Sequence, residues 1–327
     1  MSTPKAPASK TKKAKPAAAA KPPPHASWVG RVPQIKPGLY ADGLPIHQIE
    51  YLCCKLLLKP NRLTSRQSLF DFVDVLRGPA AAHGVEITTK GFREMPLKIR
   101  EVLFVDTPDF RLYNNAFILR RRIMYEDGFP VGDPEIVFKY RGQDIQKAAE
   151  TDVRPQIAGD HRVKFKAQAL PLKERLGGIR MLYSHNVQFP RSSAGPRQDI
   201  LTMEAITKVF PVLNSLKRSP DEKLELVSNT IIEEVLQDIC LLDFGHRVTA
   251  KTNVAIWRTR GEHRPLIGEF AYQIRFKDRS ELAREAMLKA EAFFIALQFA
   301  AKDWISLTAT KTGSVYRLLG NPPKSDE

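Results

Sequence analysis

Apolar residues alternate with polar ones along much of the chain, which is the period-two pattern of strands with one buried face. The alternating runs are rich in Val, Ile, Phe and Tyr, and turn residues such as Glu126-Asp127-Gly128 separate them. The pattern predicts a strand-rich fold. The predicted strands span residues 47–60, 85–90, 101–106, 116–125, 135–141, 151–155, 161–169, 246–260 and 265–276.

Three other segments repeat apolar residues at the three- and four-residue spacing of helices. Capping-box sequences precede them, and Gly78-Pro79 is expected to end the first. We therefore predict an α+β fold in which a few helices accompany the sheet. The predicted helices span residues 64–78, 219–239 and 278–304.

Several predicted strands carry pairs of cations separated by one residue. These pairs are Arg120 and Arg122, Lys139 and Arg141, Lys164 and Lys166, and Arg258 and Arg260. Period-two spacing places each pair on one face of its strand. On an open sheet such a face would be solvated and mixed in charge. A sheet closed into a barrel would instead enclose the cations in a positive lumen, which suits a multiply charged anion.

The positive charge is concentrated at the start of the chain. The whole sequence of 327 residues has 51 basic and 36 acidic residues, and its first forty residues contain eight of the basic ones and no acidic one. Prolines are frequent in the same segment and prevent a long helix. We predict that residues 1–40 form a disordered tail. The tail either tethers nucleic acid or another polyanion through its phosphates, or only keeps the chain soluble.

Other features exclude several classes of protein. No apolar run reaches the length of about 18 residues that a membrane helix needs. Three cysteines cannot form a disulfide framework. The histidines are scattered, and the sequence contains neither a nucleophile elbow nor a phosphate-binding loop. We expect a cytoplasmic protein with reduced thiols and no membrane partner.

The segment FVDTPDFRLYNNAFILRRR, within residues 104–123, resembles the CYTH, or triphosphate tunnel metalloenzyme, family. In that family D-T-P is followed by a short connection and then L-R-x-R. EIVFKYR at 135–141 looks like its next strand, ETDVRP at 150–155 looks like an acidic strand, and residues 47–60 occupy the place of its E-x-E-x-K signature. The resemblance covers residues 47–276. It implies a closed antiparallel β-barrel, or tunnel, with helices packed outside, formed by a single domain at 44–320.

The resemblance also implies a site that hydrolyses triphosphates or cyclises ATP with Mg²⁺ or Mn²⁺. Together with the alternating cations, it suggests seven residues that bind phosphate and three that bind the metal. The phosphate-binding candidates are Lys55, Arg120, Arg122, Lys139, Arg141, Lys251 and Arg258, and the metal-binding candidates are Glu50, Asp152 and Glu269.

The sequence departs from the family signature at its acidic positions. Tyr51 and Cys53 stand where the family has two glutamates before the lysine that corresponds to Lys55. Glu50 is an odd number of residues from Lys55, so only a β-bulge would bring the two onto one face. Ala271 follows Glu269 where a second carboxylate is expected. Cations are therefore retained better than carboxylates, which favours anion binding over turnover.

Three hypotheses follow for the function. The first is a magnesium-dependent triphosphate phosphohydrolase, and the second is a tunnel that binds a triphosphate or polyphosphate without turnover. The third is a protein that binds nucleic acid through the tail and a basic sheet. The sequence leaves open the substrate, the oligomeric state and whether residues 170–215 form an insertion over the tunnel mouth or a surface loop.

Overall fold

A computed structural model describes residues 34–194, 202–216, 219, 221–307, 310–320 and 323–324. Most of the predicted tail lies outside these ranges. The described end of the tail packs against the rest of the chain, because Ile35 and Tyr40 are buried and the Lys36 backbone N–H donates to the Gln146 side chain. The packed part of the chain therefore begins before residue 40.

Strands contain more of the described residues than helices do, as the period-two pattern predicts. The strands are β1 (Tyr51–Leu58), β2 (Glu86–Thr88), β3 (Lys98–Asp106), β4 (Phe117–Glu126), β5 (Phe129–Gly142), β6 (Arg162–Pro171), β7 (Ile179–Pro190), β8 (Glu225–Leu226), β9 (Ile232–Asp243), β10 (Thr249–Thr259) and β11 (Pro265–Arg275).

Nine of these strands close into a barrel. Its order is β9-β10-β11-β1-β6-β7-β5-β4-β3, and pairing of β3 with β9 completes the ring. Neighbouring strands are antiparallel except β1 and β6, which are parallel with Tyr51 opposite Lys166. The predicted closed barrel is confirmed, with one parallel pair inside an otherwise antiparallel ring. Strand β7 lies within residues 170–215, so this segment supplies part of the barrel wall.

The helices lie outside the barrel, with one exception at its end. They are α1 (Arg66–His83), α2 (Arg111–Asn114), α3 (Ile145–Glu150), α4 (Met203–Val209), α5 (Arg284–Ala300) and α6 (Lys311–Tyr316). Ser65 caps α1, and the helix continues through Pro79 to end at Gly84, whose φ of 61° is left-handed. The predicted stop at Gly78-Pro79 is wrong, because α1 packs along α5 and the barrel beyond that point.

Two other predicted elements are wrong. The last part of the predicted helix over 219–239, from Ile232 onward, is strand β9, because apolar residues four apart, such as Val235 and Ile239, also fit a period of two. The predicted strand 151–155 follows helix α3 and has no regular structure. Asp144 caps α3 by accepting the Lys147 backbone N–H.

None of the helices within the described ranges is long and apolar enough to span a membrane. The three cysteines are buried and carry free thiols.

Candidate functional site

The charged side chains that point into the barrel are mostly cationic. A cavity of about 260 Å³ lies in the lumen, and two carboxylates, Glu234 and Glu269, are the acidic residues in its described lining. The alternation of strand side chains brings the cations of five strands together here, and the start of α6 is a sixth source. The cations in the lining are Lys55, Arg100, Arg120, Arg122, Lys139, Arg141, Lys166 and Lys311.

The start of α6 closes one end of this cavity. Thr310, Lys311 and Thr312 line it, and the Thr310 hydroxyl caps the helix by accepting the Gly313 backbone N–H. Farther along the helix, Val315 and Tyr316 are fully buried in a second apolar cluster inside this end of the barrel. The helix therefore acts as a plug.

Asp106 connects the plug to the barrel wall. Its carboxylate accepts the backbone N–H groups of Thr107, Leu112 and Tyr113 and the hydroxyl of Tyr316, all at 2.8–3.1 Å. Burial raises the pKa of this carboxyl to about 6, although the four hydrogen bonds oppose that shift. The aspartate of the D-T-P motif thus has a structural role in this chain.

Lys311 lies between the two carboxylates of the cavity. Its Nζ is 3.1 Å from Glu234 Oε1 and 2.9 Å from Glu269 Oε1, and 4.7 Å from the centroid of the Trp257 ring. Burial alone would lower the pKa of Lys311, but the two carboxylates raise it above its ordinary value. The ammonium is therefore charged and fully surrounded by partners.

Both carboxylates are held in their charged form. Glu234 also pairs with Arg100, which lies directly opposite on β3, and accepts the Trp257 indole N–H at 2.8 Å. Burial would raise its pKa, but Lys311 and Arg100 lower it below the ordinary value. Glu269 is 3.6 Å from Lys55 Nζ, and Lys311 and Lys55 lower its pKa in the same way.

Two cations of the lumen, Lys139 and Arg120, form no ion pair with a described residue. Lys139 is 7% exposed, and no hydrogen bond or ion pair involves its ammonium within the described residues. Burial lowers its pKa well below the ordinary value, and Arg141 and Arg120 lower it further. Burial, followed by the charge of Arg122, also lowers the pKa of Arg120, to about 9. Arg120 Nε is buried without a hydrogen-bond partner among the described residues.

The cavity continues along the lumen, away from the plug. A further volume of about 460 Å³ shares Arg100, Arg120, Arg122 and Lys166 with the first cavity, and Lys164, Asp133 and Glu135 are added to its lining. Glu135 pairs with Arg122 across β4 and β5. Burial lowers the pKa of Lys164 to about 8, and Lys166 contributes to that shift.

Five of the seven phosphate-binding candidates line the first cavity, and two do not. Lys251 is half exposed and shares Asp238 with Lys98, at 2.9 and 2.7 Å. Arg258 follows the inward-pointing Trp257, so it lies on the outer face of β10 and pairs with Glu233. The structure therefore separates these two cations from the cluster.

The three metal-binding candidates are not brought together. Glu50 is exposed just before β1, whose pairing with β11 runs without a register shift, so the bulge that would align Glu50 with Lys55 is absent there. Asp152 accepts three hydrogen bonds from Arg154, outside the cavity lining. Glu269 alone lies in the lumen.

These residues do not fit a resident Mg²⁺ or Mn²⁺ site. No group of three or more potential metal ligands occurs among the described residues. The two carboxylates of the lumen are engaged by Lys311, Arg100 and Lys55. Hard divalent cations need several oxygen ligands that are free of competing cations, and these two carboxylates do not provide them.

Sequence reasoning missed Arg100, Glu234 and Lys311. Arg100 precedes the predicted strand 101–106, and Glu234 falls in the segment taken for a helix. Lys311 follows the last predicted helix, and no periodic pattern marks it. Lys166 was visible as part of an alternating pair with Lys164, and the structure places it in the lumen.

No protein-family model matches the sequence, and no curated protein matches it. One similar solved structure is that of a Hippeastrum protein provisionally described as an adenylyl cyclase, with a dominant triphosphatase activity. Its sequence is 11% identical to this chain, and the TM-score is 0.35. The match covers 82% of this chain and 95% of that chain. A provisional adenylate cyclase from Bacillus halodurans is 12% identical with a TM-score of 0.34 over 81% and 95%. A similar protein from Vibrio parahaemolyticus is 10% identical with a TM-score of 0.33 over 82% and 98%. At these identities and scores, neither a ligand nor an activity of this chain follows from the likeness.

Proposed function

We propose that the barrel binds a linear polyphosphate-type anion, such as inorganic tripolyphosphate, in its lumen. The observation that carries this proposal is the pair of lumen cations Lys139 and Arg120, neither of which forms an ion pair with a described residue. A buried cation without a partner is strongly unfavourable, so a site that keeps several of them is built for an anion that supplies the missing charge.

The arrangement of the cations favours an extended anion over a single small one. They are contributed by five of the nine barrel strands, and the two connected cavities share four of them. A chain of phosphates offers several charged oxygens along its length, and arginine binds such oxygens in bidentate geometry. We therefore assign the contacts with phosphate to Arg120, Arg122, Lys139, Lys55 and Arg141.

The aromatic residues argue against the basic sheet as a nucleic-acid platform. Tyr140 and Phe165 alternate with the cations and are buried on the outer face of the barrel, under the rest of the chain. Trp257 is buried in the lumen beneath Lys311. Stacking of bases needs exposed aromatic rings, which these positions do not provide.

The test is calorimetric titration of tripolyphosphate into the protein in buffer that contains EDTA. Arg120→Ala removes an unpaired lumen cation, and Arg258→Ala is the matched control on the outer face. We expect Arg120→Ala to weaken binding roughly 10-fold or more, since a hydrogen bond to a charged group is worth about 1.5–3 kcal/mol. We expect Arg258→Ala to bind as the wild type does. Equal loss in both variants, or no binding by the wild type, contradicts the proposal.

Release of inorganic phosphate from tripolyphosphate, measured in EDTA and with added Mg²⁺, reports on turnover. The two lumen carboxylates already have cationic partners, so we propose binding rather than hydrolysis as the function. Release that requires added Mg²⁺ and disappears in Arg120→Ala would support the phosphohydrolase instead.

A further inference from the structure

The surroundings of Lys311 are those of a bound cation rather than of a free lysine. Its Nζ has oxygen atoms of Glu234 and Glu269 within 3.1 Å, and the face of the Trp257 ring on a third side. An ammonium has three N–H groups to donate, and the two carboxylate oxygens lie within hydrogen-bonding distance of it. The side chain of Lys311 is 12% exposed.

Lys311 is the cation that the two carboxylates share, while Arg100 pairs with Glu234 alone and Lys55 with Glu269 alone. Both carboxylates lie in the lumen, with side chains 6% and 10% exposed. Two buried carboxylates that share one cation are the usual setting of a divalent metal held by protein oxygens. Here the cation is covalently part of the chain.

The plug holds this ammonium in position. Thr310 caps α6 immediately before Lys311, and Val315 and Tyr316 anchor the helix in the inner apolar cluster. Because the backbone is fixed in this way, only the side-chain freedom of the lysine is lost when its ammonium meets the carboxylates. The pairing therefore depends on the fold and not on the concentration of a free ion.

We propose that Lys311 is an internal replacement for a divalent cation, which bridges Glu234 and Glu269 and lets the lumen bind its anion without metal. The part that concerns the anion rests on the proposed function. The part that concerns the carboxylates stands independently, because it predicts that removal of the lysine creates a site for a divalent cation.

The first experiment follows Mn²⁺ by electron paramagnetic resonance, without tripolyphosphate. The signal of free hydrated Mn²⁺ is recorded with wild type, Lys311→Met and Lys302→Met, the last of which removes an exposed lysine outside the cavity. We expect only Lys311→Met to bind Mn²⁺, and Glu269→Gln in that background to abolish the binding. Failure of a folded Lys311→Met protein to bind Mn²⁺ overturns the proposal.

The wild type provides a test that does not depend on the stability of the variant. Mn²⁺ is titrated into wild type and Glu269→Gln, and we expect no difference between them because Lys311 already occupies the carboxylates. Stoichiometric Mn²⁺ binding by the wild type that Glu269→Gln removes would overturn the proposal.

The second experiment measures tripolyphosphate affinity with EDTA and with Mg²⁺. We expect wild type to bind at least as tightly in EDTA, and Lys311→Met to bind more tightly with Mg²⁺ than with EDTA. Wild-type binding that requires Mg²⁺ contradicts the replacement. Absence of wild-type binding in both buffers contradicts the proposed function alone, and the Mn²⁺ titrations still decide the role of Lys311.

Discussion

Replacement of Lys139 by methionine is expected to stabilise the free protein and to weaken its binding of tripolyphosphate. Methionine has nearly the length of lysine and no charge, so the change removes the ammonium and keeps most of the packing. Lys139 is 7% exposed, lies beside Arg141 and Arg120, and has no described partner for its charge. The free protein therefore carries an electrostatic penalty at this position that the bound anion relieves.

The two effects have different magnitudes. An uncompensated buried charge costs about 3–5 kcal/mol, and we expect about 1–3 kcal/mol of this to be recovered here because the ammonium borders a cavity. At about 2–4 °C per kcal/mol for a domain of this size, the melting temperature should rise by roughly 2–12 °C. Loss of a hydrogen bond to a charged group, worth about 1.5–3 kcal/mol, should weaken tripolyphosphate binding roughly 10- to 150-fold.

The sign of the pH dependence follows from the lowered pKa of Lys139. The penalty is complete below that pKa, where the folded protein must keep the ammonium charged. The penalty decreases as the pH rises above this pKa toward the ordinary pKa of lysine, because in that range only the unfolded chain still binds the proton. The gain in stability of Lys139→Met should therefore decrease as the pH rises.

The assay is thermal unfolding of wild type, Lys139→Met and the exposed control Lys302→Met, with and without tripolyphosphate. At a hundredfold excess over its dissociation constant, the ligand should stabilise the wild type by about 2.7 kcal/mol. A Lys139→Met protein that is less stable than the wild type without ligand, or that binds tripolyphosphate equally well, would refute the reasoning.

Two further predictions concern pH and the plug. Tripolyphosphate affinity should fall as the pH rises through the pKa of Lys164, about 8, and through the lowered pKa of Lys139, because the neutral amines no longer attract phosphate. Titrations in two buffers of different ionisation enthalpy should show that the protein takes up protons when the anion binds. An affinity that is constant up to about pH 9.5 would contradict this prediction. Asp106→Ala should lower the free energy of unfolding by about 2–4 kcal/mol, because it leaves three buried N–H groups and the Tyr316 hydroxyl without their acceptor. If the denaturant midpoint of the variant equals that of the wild type, Asp106 does not hold the plug.

The cationic lumen was predictable because period-two spacing is a local property of the sequence. Arg120 and Arg122, and likewise Lys139 and Arg141, share a face of any regular strand, and closure of the barrel then brings the two pairs together. The same rule could not locate Arg258, because which face turns inward depends on closure and not on the spacing. Its inward neighbour, Trp257, fixes the opposite orientation.

The carboxylates and the plug could not be predicted for different reasons. Glu234 lies among apolar residues whose four-residue spacing fits a helix and a strand equally well, and only pairing with β3 and β10 decides between them. Lys311 and Glu269 are more than forty residues apart in the sequence, and they meet because a short helix packs into the end of the barrel. Contacts of this kind depend on the assembled barrel, and no local pattern records them.

The most direct test of the account is a crystal structure of the protein with tripolyphosphate, grown in the presence of EDTA. We expect the phosphate chain in the lumen, with oxygens within hydrogen-bonding distance of Lys139 Nζ and the Arg120 guanidinium, and Lys311 still paired with Glu234 and Glu269. Phosphate bound on the outer surface, with the two lumen cations unoccupied, would contradict the central claim.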